Sequence, residues 1–521
     1  MENKIKYPIG IQTFSKIITG GYLYVDKTDL IYNLVCDNQY VFLSRPRRFG
    51  KSMLVSTLEE YFKGNKDLFK GLAIEKLEND WTPYPVIRFD LSGENYDSSD
   101  RLVHIIKSRL KDYETEYGIT IDPDDSIGMR FSKVIEQMHN AHNQSVVVLV
   151  DEYDKPLLDN LHDDEKHKAI RRELEGFYSN LKKCDRYIRF ALLTGVGKFG
   201  HVSIFSGLNN LMDISLDKDY NAICGISESE FRNSFGPSVK RFASNNEMTE
   251  AEVWQTFKTN YDGYHFSKKK EGIYNPFSVL KAFKLNELGD YWFASGTPGF
   301  LVNILKKNPT SITNLEGAKL TESDLSDMTD PVNNYYALFF QAGYLTIKGY
   351  EAETKRYLLD FPNEEVRSGF WGSLYKQYVV KGLPRTTFDI FSFLDDVKHG
   401  HPDEFMNRLS ALVASISPGV EKKKEIHFQN VMHIIFKMLG LTVHTEVVNA
   451  LGRCDMTVKT SDYVYILEFK IDSTAQAALD QIREKGYAHP FDADKRTVYL
   501  IGANFSTKTN ELDNYLIEGY E

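Results

Sequence analysis

The chain offers little to an export, membrane or metal-knuckle reading. Its four cysteines, Cys36, Cys184, Cys224 and Cys454, lie far apart with no CxxC pair, which excludes a zinc module or disulfide framework and suits a reducing interior. No apolar run reaches the ~18 residues needed to span a bilayer. The opening MENKIKYPIG also lacks an export-type apolar stretch, so a cytoplasmic protein with no membrane partner is expected. Nor is positive charge in excess: 63 basic against 73 acidic residues give a net charge of -10, so any nucleic-acid contact must rest on local patches. Internal repeats and low-complexity tracts are missing too.

What is present is the material of a multi-domain globular protein. The 521 residues suit about three domains, and 42% hydrophobic with 26% charged residues argue against disorder. Aromatics make up 13% but are scattered, which fits core packing better than a base-stacking surface. QYVFLS (39–44), YPVIRFDLS (84–92), SVVVLVDEYD (145–154) and DRYIRFALLTG (185–195) read as buried strands separated by helical patterns such as 129–142 and 164–183. That alternation predicts a parallel sheet covered on both faces over 1–220. A mostly helical segment follows over 221–310. A connector over 311–400 carries a helix and two strands around a polar turn at 333–363, the pattern of a winged-helix element. Residues 401–521 then read as helix 425–439, strands 441–448, 453–459 and 463–470, helix 474–487 and strand 496–501.

The first candidate site is SRPRRFGKSML (44–54). A phosphate-binding loop works through backbone N–H groups at a helix N-terminus, a lysine point charge and a hydroxyl that ligates magnesium. Gly50, Lys51 and Ser52 suit these tasks, but Arg45 stands where the usual pattern has glycine. Spacing alone leaves open whether GKS is a nucleotide loop or a coincidence. Arg45, Arg47 and Arg48 would add positive charge beside phosphates. Downstream, VVVLVDE puts Asp151 and Glu152 just past a buried strand, where one could hold magnesium through water and the other polarise an attacking water. Thr194, at the end of the next strand, reads equally as a γ-phosphate sensor or an ordinary strand end. Arg171 and Arg172 fit a solvated helix face better than an arginine finger.

The second candidate site is GRCDMTVKTSDYVYILEFKI (452–471). Residues two apart on a strand share a face, so Glu468 and Lys470 project together, and a hairpin can bring Asp455 beside them. Two carboxylates can hold a divalent cation while lysine orients or deprotonates water for attack on a phosphodiester. A further metal ligand could come from Glu425 or Glu446; Gln481 and Tyr487 either touch substrate or pack; EKKKE (421–425) either meets a nucleic-acid backbone or is a solvated face.

Taken together, YVDKT (24–28), RPRRFGKS (45–52), DEYDKP (151–156), TGVGKFGHVSIFSGLNNL (194–211), YDGYHF (261–266), YNPFS (274–278) and GRCDMTV with EFK form a specific set. Through them nearly the whole chain resembles bacterial AAA-ATPase-like proteins with a C-terminal PD-(D/E)XK nuclease-superfamily domain. The resemblance implies an α/β protein with an additional-strand P-loop (AAA/ASCE-type) ATPase core and a helical lid, followed by an α/β nuclease-like domain. It accepts the arginine-proline opening and so implies ATP with Mg²⁺. The expected nucleotide set is Arg45, Arg47, Arg48, Phe49, Gly50, Lys51, Ser52, Met53, Asp151 and Thr194, with Glu152 as base and Ser52 and Asp151 on the metal. The nuclease roles fall on Asp455, Glu468 and Lys470, with Glu425 as an added ligand. Cys454 precedes Asp455 where the superfamily often has proline, a variable position. Two outcomes are expected to compete: an ATPase that controls a Mg²⁺-dependent nuclease acting on DNA, in defence or mobile-element biology, or a nucleotide-dependent switch whose nuclease-like domain only binds a partner or nucleic acid. A homo-oligomer is compatible with either.

Overall fold

A computed structural model describes residues 5–198, 205, 210–268, 271–295, 301, 304–305, 312, 315–326, 328, 334–376, 390–415, 425–438, 440–449, 452–506, 508–509 and 511–520. The chain forms two compact units, one of residues 1–296 with 316–366, the other of 297–315 with 367–521. Among the described residues no helix is long and apolar enough to cross a membrane.

The first unit is built on β1 (Tyr40–Ser44), α1 (Lys51–Phe62), β2 (Val86–Asp90), α2 (Ser99–Glu116), α3 (Ile127–His142), β3 (Val146–Asp151), α4 (Asp164–Lys183), β4 (Ile188–Gly195) and the short β5 (Met212–Asp213). The strands form one parallel sheet in the order β2-β3-β4-β1-β5. Every residue of β1 and β3 is buried, as a sheet covered on both faces requires. Helix starts are fixed by side chains that take an otherwise unpaired amide: Ser98 accepts from Arg101 N, Ser126 from Met129 N and Asp163 from Lys166 N. β4 lies between the strand that feeds the loop and the strand that carries the acids, which is the additional-strand arrangement. Its register, Ser44↔Gly195 and Val150↔Leu193, brings the C-terminal ends of β1, β3 and β4 to one edge of the sheet.

Beside it, α5 (Glu228–Asn245), α6 (Glu250–Tyr261) and α7 (Pro276–Leu285) enclose an aromatic core in which Phe257 and Phe283 stack at 4.3 Å and Phe231 and Tyr274 at 4.4 Å. Capping boxes start α5 (Ser227 with Glu230) and α6 (Thr249 with Glu252). In YNPFS, Asn275 caps α7 and Pro276 opens it. The unit continues with β6 (Ala318–Leu320), α8 (Tyr335–Ala342), β7 (Thr346–Glu351) and β8 (Arg356–Asp360), the strands pairing antiparallel in the order β6-β8-β7. The helix, two strands and polar turn are those read from the sequence; β6 is an addition.

Glu365, 1% exposed, accepts hydrogen bonds from Ser278 Oγ (3.0 Å) and the Trp292 amide (2.7 Å). Burial, with the Asp290 charge adding, pushes its carboxyl from 4.5 up to about 8. A raised acid contributes stability that is whole below its unfolded value and declines as pH rises through the folded one. The melting temperature should therefore fall between about pH 5 and about pH 8, and Glu365→Gln, neutral throughout, should flatten that slope in a thermal-melt series.

The second unit is a five-stranded mixed sheet, β9 (Thr442–Asn449), β10 (Gly452–Lys459), β11 (Tyr463–Ile471), β12 (Thr497–Ser506) and β13 (Glu511–Tyr520), ordered as numbered. Only β11 and β12 run parallel to each other. On one face Tyr465, Leu467 and Phe469 pack with Phe393 of α9 (Ile390–His399), Phe405 of α10 (Pro402–Ser415) and Phe436 of α11 (Glu425–Met438). On the other, Val464 and Ile466 pack with Leu479 and Ile482 of α12 (Ala475–Glu484). The strict alternation along β11 therefore sends Glu468 and Lys470 to the α12 side.

Candidate functional sites

In the first unit the chain leaves β1 at Ser44, curls through 45–50 and enters α1, whose first N–H groups have no intrahelical acceptor. Gly50, the residue before the helix, has φ +101°, and a Cβ built there would meet nothing within 4 Å. Arg48 also has positive φ, +65°. Lys51 is only 5% exposed and its ammonium donates to the carbonyls of Arg45 (2.9 Å) and Pro46 (3.1 Å), which draws the loop over the helix start. Ser52 and Met53 occupy the first turn of α1, half-buried.

The acids arrive from β3. Asp151, 1% exposed, faces the Ser52 side chain and the Lys51 charge, and among the described residues its Oδ1 has no hydrogen-bond partner. Burial raises its carboxyl while Ser52 and the Lys51 charge oppose that. A hydroxyl, a buried carboxylate and an unpaired carboxylate oxygen are the hard oxygen donors that suit Mg²⁺. Glu152 follows in the left-handed region at φ +53°, an uncommon conformation for a side-chain-bearing residue and one that collects at functional sites.

Asp154 holds that turn in place. Its Oδ2 accepts from the amides of Val196 (2.9 Å) and Gly197 (2.6 Å), while Tyr153 donates through N to Thr194 O (3.1 Å) and through its hydroxyl to Gly197 O (2.7 Å). Buried beneath the turn, the Asp154 carboxyl is pushed up to about 6. Sequence reasoning gave it no role; the only signal was its place in DEYDKP.

Other expected contacts are turned elsewhere. Arg45, 1% exposed, is turned into the protein and donates to the carbonyls of Ser44, Ser215 and Tyr220, and burial lowers its pKa to about 10. Phe49 is buried in aromatic packing, whereas Arg47 and Arg48 remain exposed. The Thr194 hydroxyl donates to Leu43 O (2.9 Å) and is spent on joining β4 to β1. Arg171 pairs with Glu175 on its own helix at 3.5 Å.

Gly50→Ala should weaken ATP binding about tenfold, since open space removes any steric cost and leaves the left-handed backbone cost of roughly 1–2 kcal/mol. Equilibrium dialysis with labelled ATP measures it.

In the second unit the chemistry sits where two strands part. The β10–β11 ladder runs from Lys459↔Val464 to Met456↔Leu467. Beyond it, side chains take over: the Asp455 amide donates to Glu468 Oε2 (3.3 Å) and Asp455 Oδ2 accepts from the Phe469 amide (2.8 Å). Cys454 packs on the α12 face but Met456 and Val458 on the other, so β10 turns over at Asp455 and carries that carboxylate to Glu468. Glu468 is 2% exposed, and burial first and the Asp455 charge second push it up to about 7. Lys470 Nζ lies 3.4 Å from Glu468 Oε1 and 2.6 Å from Gln481 Oε1. The Gln481 amide also donates to Glu468 Oε1 and, at 3.3 Å, to the Tyr487 hydroxyl. Gln481 thus orients both halves of the Glu-x-Lys pair. Among the described residues no group of three or more His, Cys, Asp or Glu side chains is placed to hold a metal. Two adjoining carboxylates, one raised by burial and then by its neighbour's charge, still suit Mg²⁺, which is commonly bound by one or two carboxylates plus water and substrate phosphate. Glu425 opens α11 and Glu446 lies in β9, but their side chains, with 421–424 of EKKKE, fall outside the described residues.

Comparison with known proteins places the two sites within regions that match separate family models. A family model described as a predicted AAA-ATPase matches residues 8–205, and one described as the PD-(D/E)XK nuclease superfamily matches residues 423–514. A protein of Azotobacter chroococcum mcd 1, described as an uncharacterized protein in the vnfD 5′ region, is 37% identical over 526 residues, covering 98% of this chain and 99% of its own. Among solved structures, the Aeropyrum pernix ORC1 protein in complex with DNA aligns over 70% of this chain and 97% of that one, at 8% identity and a TM-score of 0.27. That last likeness is too slight to carry an argument. With a near-full-length relative at 37% identity and a matching model on each unit, the chain belongs to the family of AAA-ATPase-like proteins that end in a PD-(D/E)XK nuclease-superfamily domain.

Proposed function

We propose that this chain binds and hydrolyses ATP in its first unit and that this cycle controls divalent-metal-dependent cleavage of DNA by its second, in the cytoplasm, in defence against foreign DNA or in mobile-element biology. The observation that supports it best is convergence. Groups a hundred residues apart meet at Ser52 and Asp151, and groups from β10, β11 and α12 meet at Asp455, Glu468, Lys470 and Gln481.

At the first site the amides at the start of α1 and the Lys51 ammonium would bind phosphate oxygens. Ser52 and Asp151 would hold Mg²⁺, which when bound supplies charge neutralisation on the phosphates. Glu152 orients a water and accepts its proton. At the second site Asp455 and Glu468 would hold the divalent cation, which when bound supplies Lewis acidity toward a phosphodiester. Lys470, steadied by Gln481, orients the attacking water.

Plasmid DNA incubated with the full chain and Mg²⁺ or Mn²⁺, with and without ATP, tests the proposal. Cutting that needs metal and changes with ATP is the expected result. Intact plasmid under every condition, with calorimetry showing no divalent binding, would instead favour a nucleotide-dependent switch.

A further inference from the structure

The head of the loop has arginine, proline and phenylalanine where a self-curling loop has glycine, and each of these residues is anchored from outside the loop. The Arg45 guanidinium lies 4.2 Å over the Phe266 ring and donates to the carbonyls of Ser215 and Tyr220. Pro46 presses on Gly343, where an added Cβ would come within 2.6 Å of the proline ring. The Arg47 carbonyl accepts from the Trp292 indole N–H at 2.9 Å. Arg48, strained at φ +65°, sets its guanidinium 4.2 Å over Phe277. The Phe49 ring packs edge-on against Tyr264 (4.7 Å) and Phe266 (5.4 Å), and its carbonyl accepts from the Gly225 amide at 3.0 Å.

These anchors come from residues 215–225, from YDGYHF and YNPFS, two motifs that no step at the phosphate site uses, from Trp292, and from Gly343 just after α8. Trp292 stands among them: its amide donates to Glu365, its indole packs on Tyr344 at 5.3 Å, and its ring N–H reaches the loop. Cation–aromatic contacts and a part-buried hydrogen bond together can hold a backbone whose own residues do not favour the bend. A binding site whose competent shape is populated only in part loses affinity by that fraction.

We propose that an external clamp, with Trp292 as its positioning residue, holds the phosphate loop in its binding shape, so that residues 261–292 and 343–365 set the affinity for ATP. The affinity part rests on the ATP-binding reading above; the ordering of the loop does not.

Trp292→Phe in the full chain keeps an aromatic ring but removes the indole N–H together with the pyrrole half of the side chain. Without nucleotide, hydrogen exchange of the amides at 47–50 should quicken about tenfold, as expected from losing a part-buried hydrogen bond to the loop. Retention of labelled ATP should weaken about tenfold while kcat at saturating ATP stays within about twofold, the pattern of a site that is mis-shaped rather than disarmed. ATP should also change tryptophan emission in the wild type and leave the variant unchanged, although Trp81, Trp254 and Trp371 remain. Phe277→Leu, which removes the Arg48 stack, should act in the same direction and serves if the first variant melts early. Wild-type exchange and wild-type ATP retention in both variants would overturn the clamp. A wild type that retains no ATP, while the variants still exchange faster, would overturn the affinity claim with the ATP-binding reading and support the ordering claim by itself.

Discussion

Glu152→Gln should keep its ATP and lose at least about a hundredfold in turnover, the usual contribution of a positioned general base. The substitution preserves volume and hydrogen-bonding reach but cannot take a proton. Its neighbours argue that the loss will be confined to turnover. Asp151 is buried and faces Ser52, where the proposed Mg²⁺ would be held, whereas Glu152 is half-exposed in a left-handed conformation immediately beyond it. The grip of Asp154 and Tyr153 on residues 194–197 fixes that conformation and does not pass through the Glu152 carboxylate. Lys51→Ala is the contrasting variant, since it removes a buried cation that joins the loop to α1 and should abolish retention of ATP altogether. Equilibrium dialysis beside single-turnover hydrolysis separates the two. Turnover of Glu152→Gln within about fivefold of wild type would place the base elsewhere.

Asp455→Ala should lower DNA cleavage by at least about a thousandfold, because a catalytic cation supplies several kcal/mol of transition-state stabilisation and this variant removes one of its two carboxylates. Asp455 also accepts the Phe469 amide, so a loss of strand pairing must be separated from a loss of metal. Asp455→Asn does that: its side-chain oxygen can still accept that amide, yet it brings no charge to the cation. Asp455→Asn should melt near the wild type and Asp455→Ala somewhat below it, and calorimetry should show divalent affinity falling in both. Cleavage by either variant at the wild-type rate would mean that Asp455 does not take part in the chemistry.

Much of this was legible in the sequence for a simple reason. Strands buried on both faces, such as Val146–Asp151, are unbroken apolar runs, and long amphipathic helices such as Asp164–Lys183 carry their caps with them. The last strand, Glu511–Tyr520, was not read, because Glu511, Asp513, Asn514 and Gly519 interrupt the apolar continuity of this edge strand and are depleted in strands, despite Tyr515 and Ile517. At the sites, the residue types that do chemistry were visible but their directions were not. Arg45 reads as charge for a phosphate, yet it turns inward because backbone carbonyls at 215 and 220, far away in sequence, satisfy it there. Asp154 and Trp292 escaped notice because their significance lies in long-range partners, the amides at 196–197 and the carbonyl at 47.

The aromatic surround of the nucleotide loop bears on how the gene could be dissected. A fragment ending just after the parallel sheet would retain every residue of the signature yet expose Phe49 and strip Arg47 and Arg48 of Trp292 and Phe277. The signature is therefore no portable cassette. Truncations and chimaeras meant to keep nucleotide chemistry have to extend through residue 366, where the first compact unit closes.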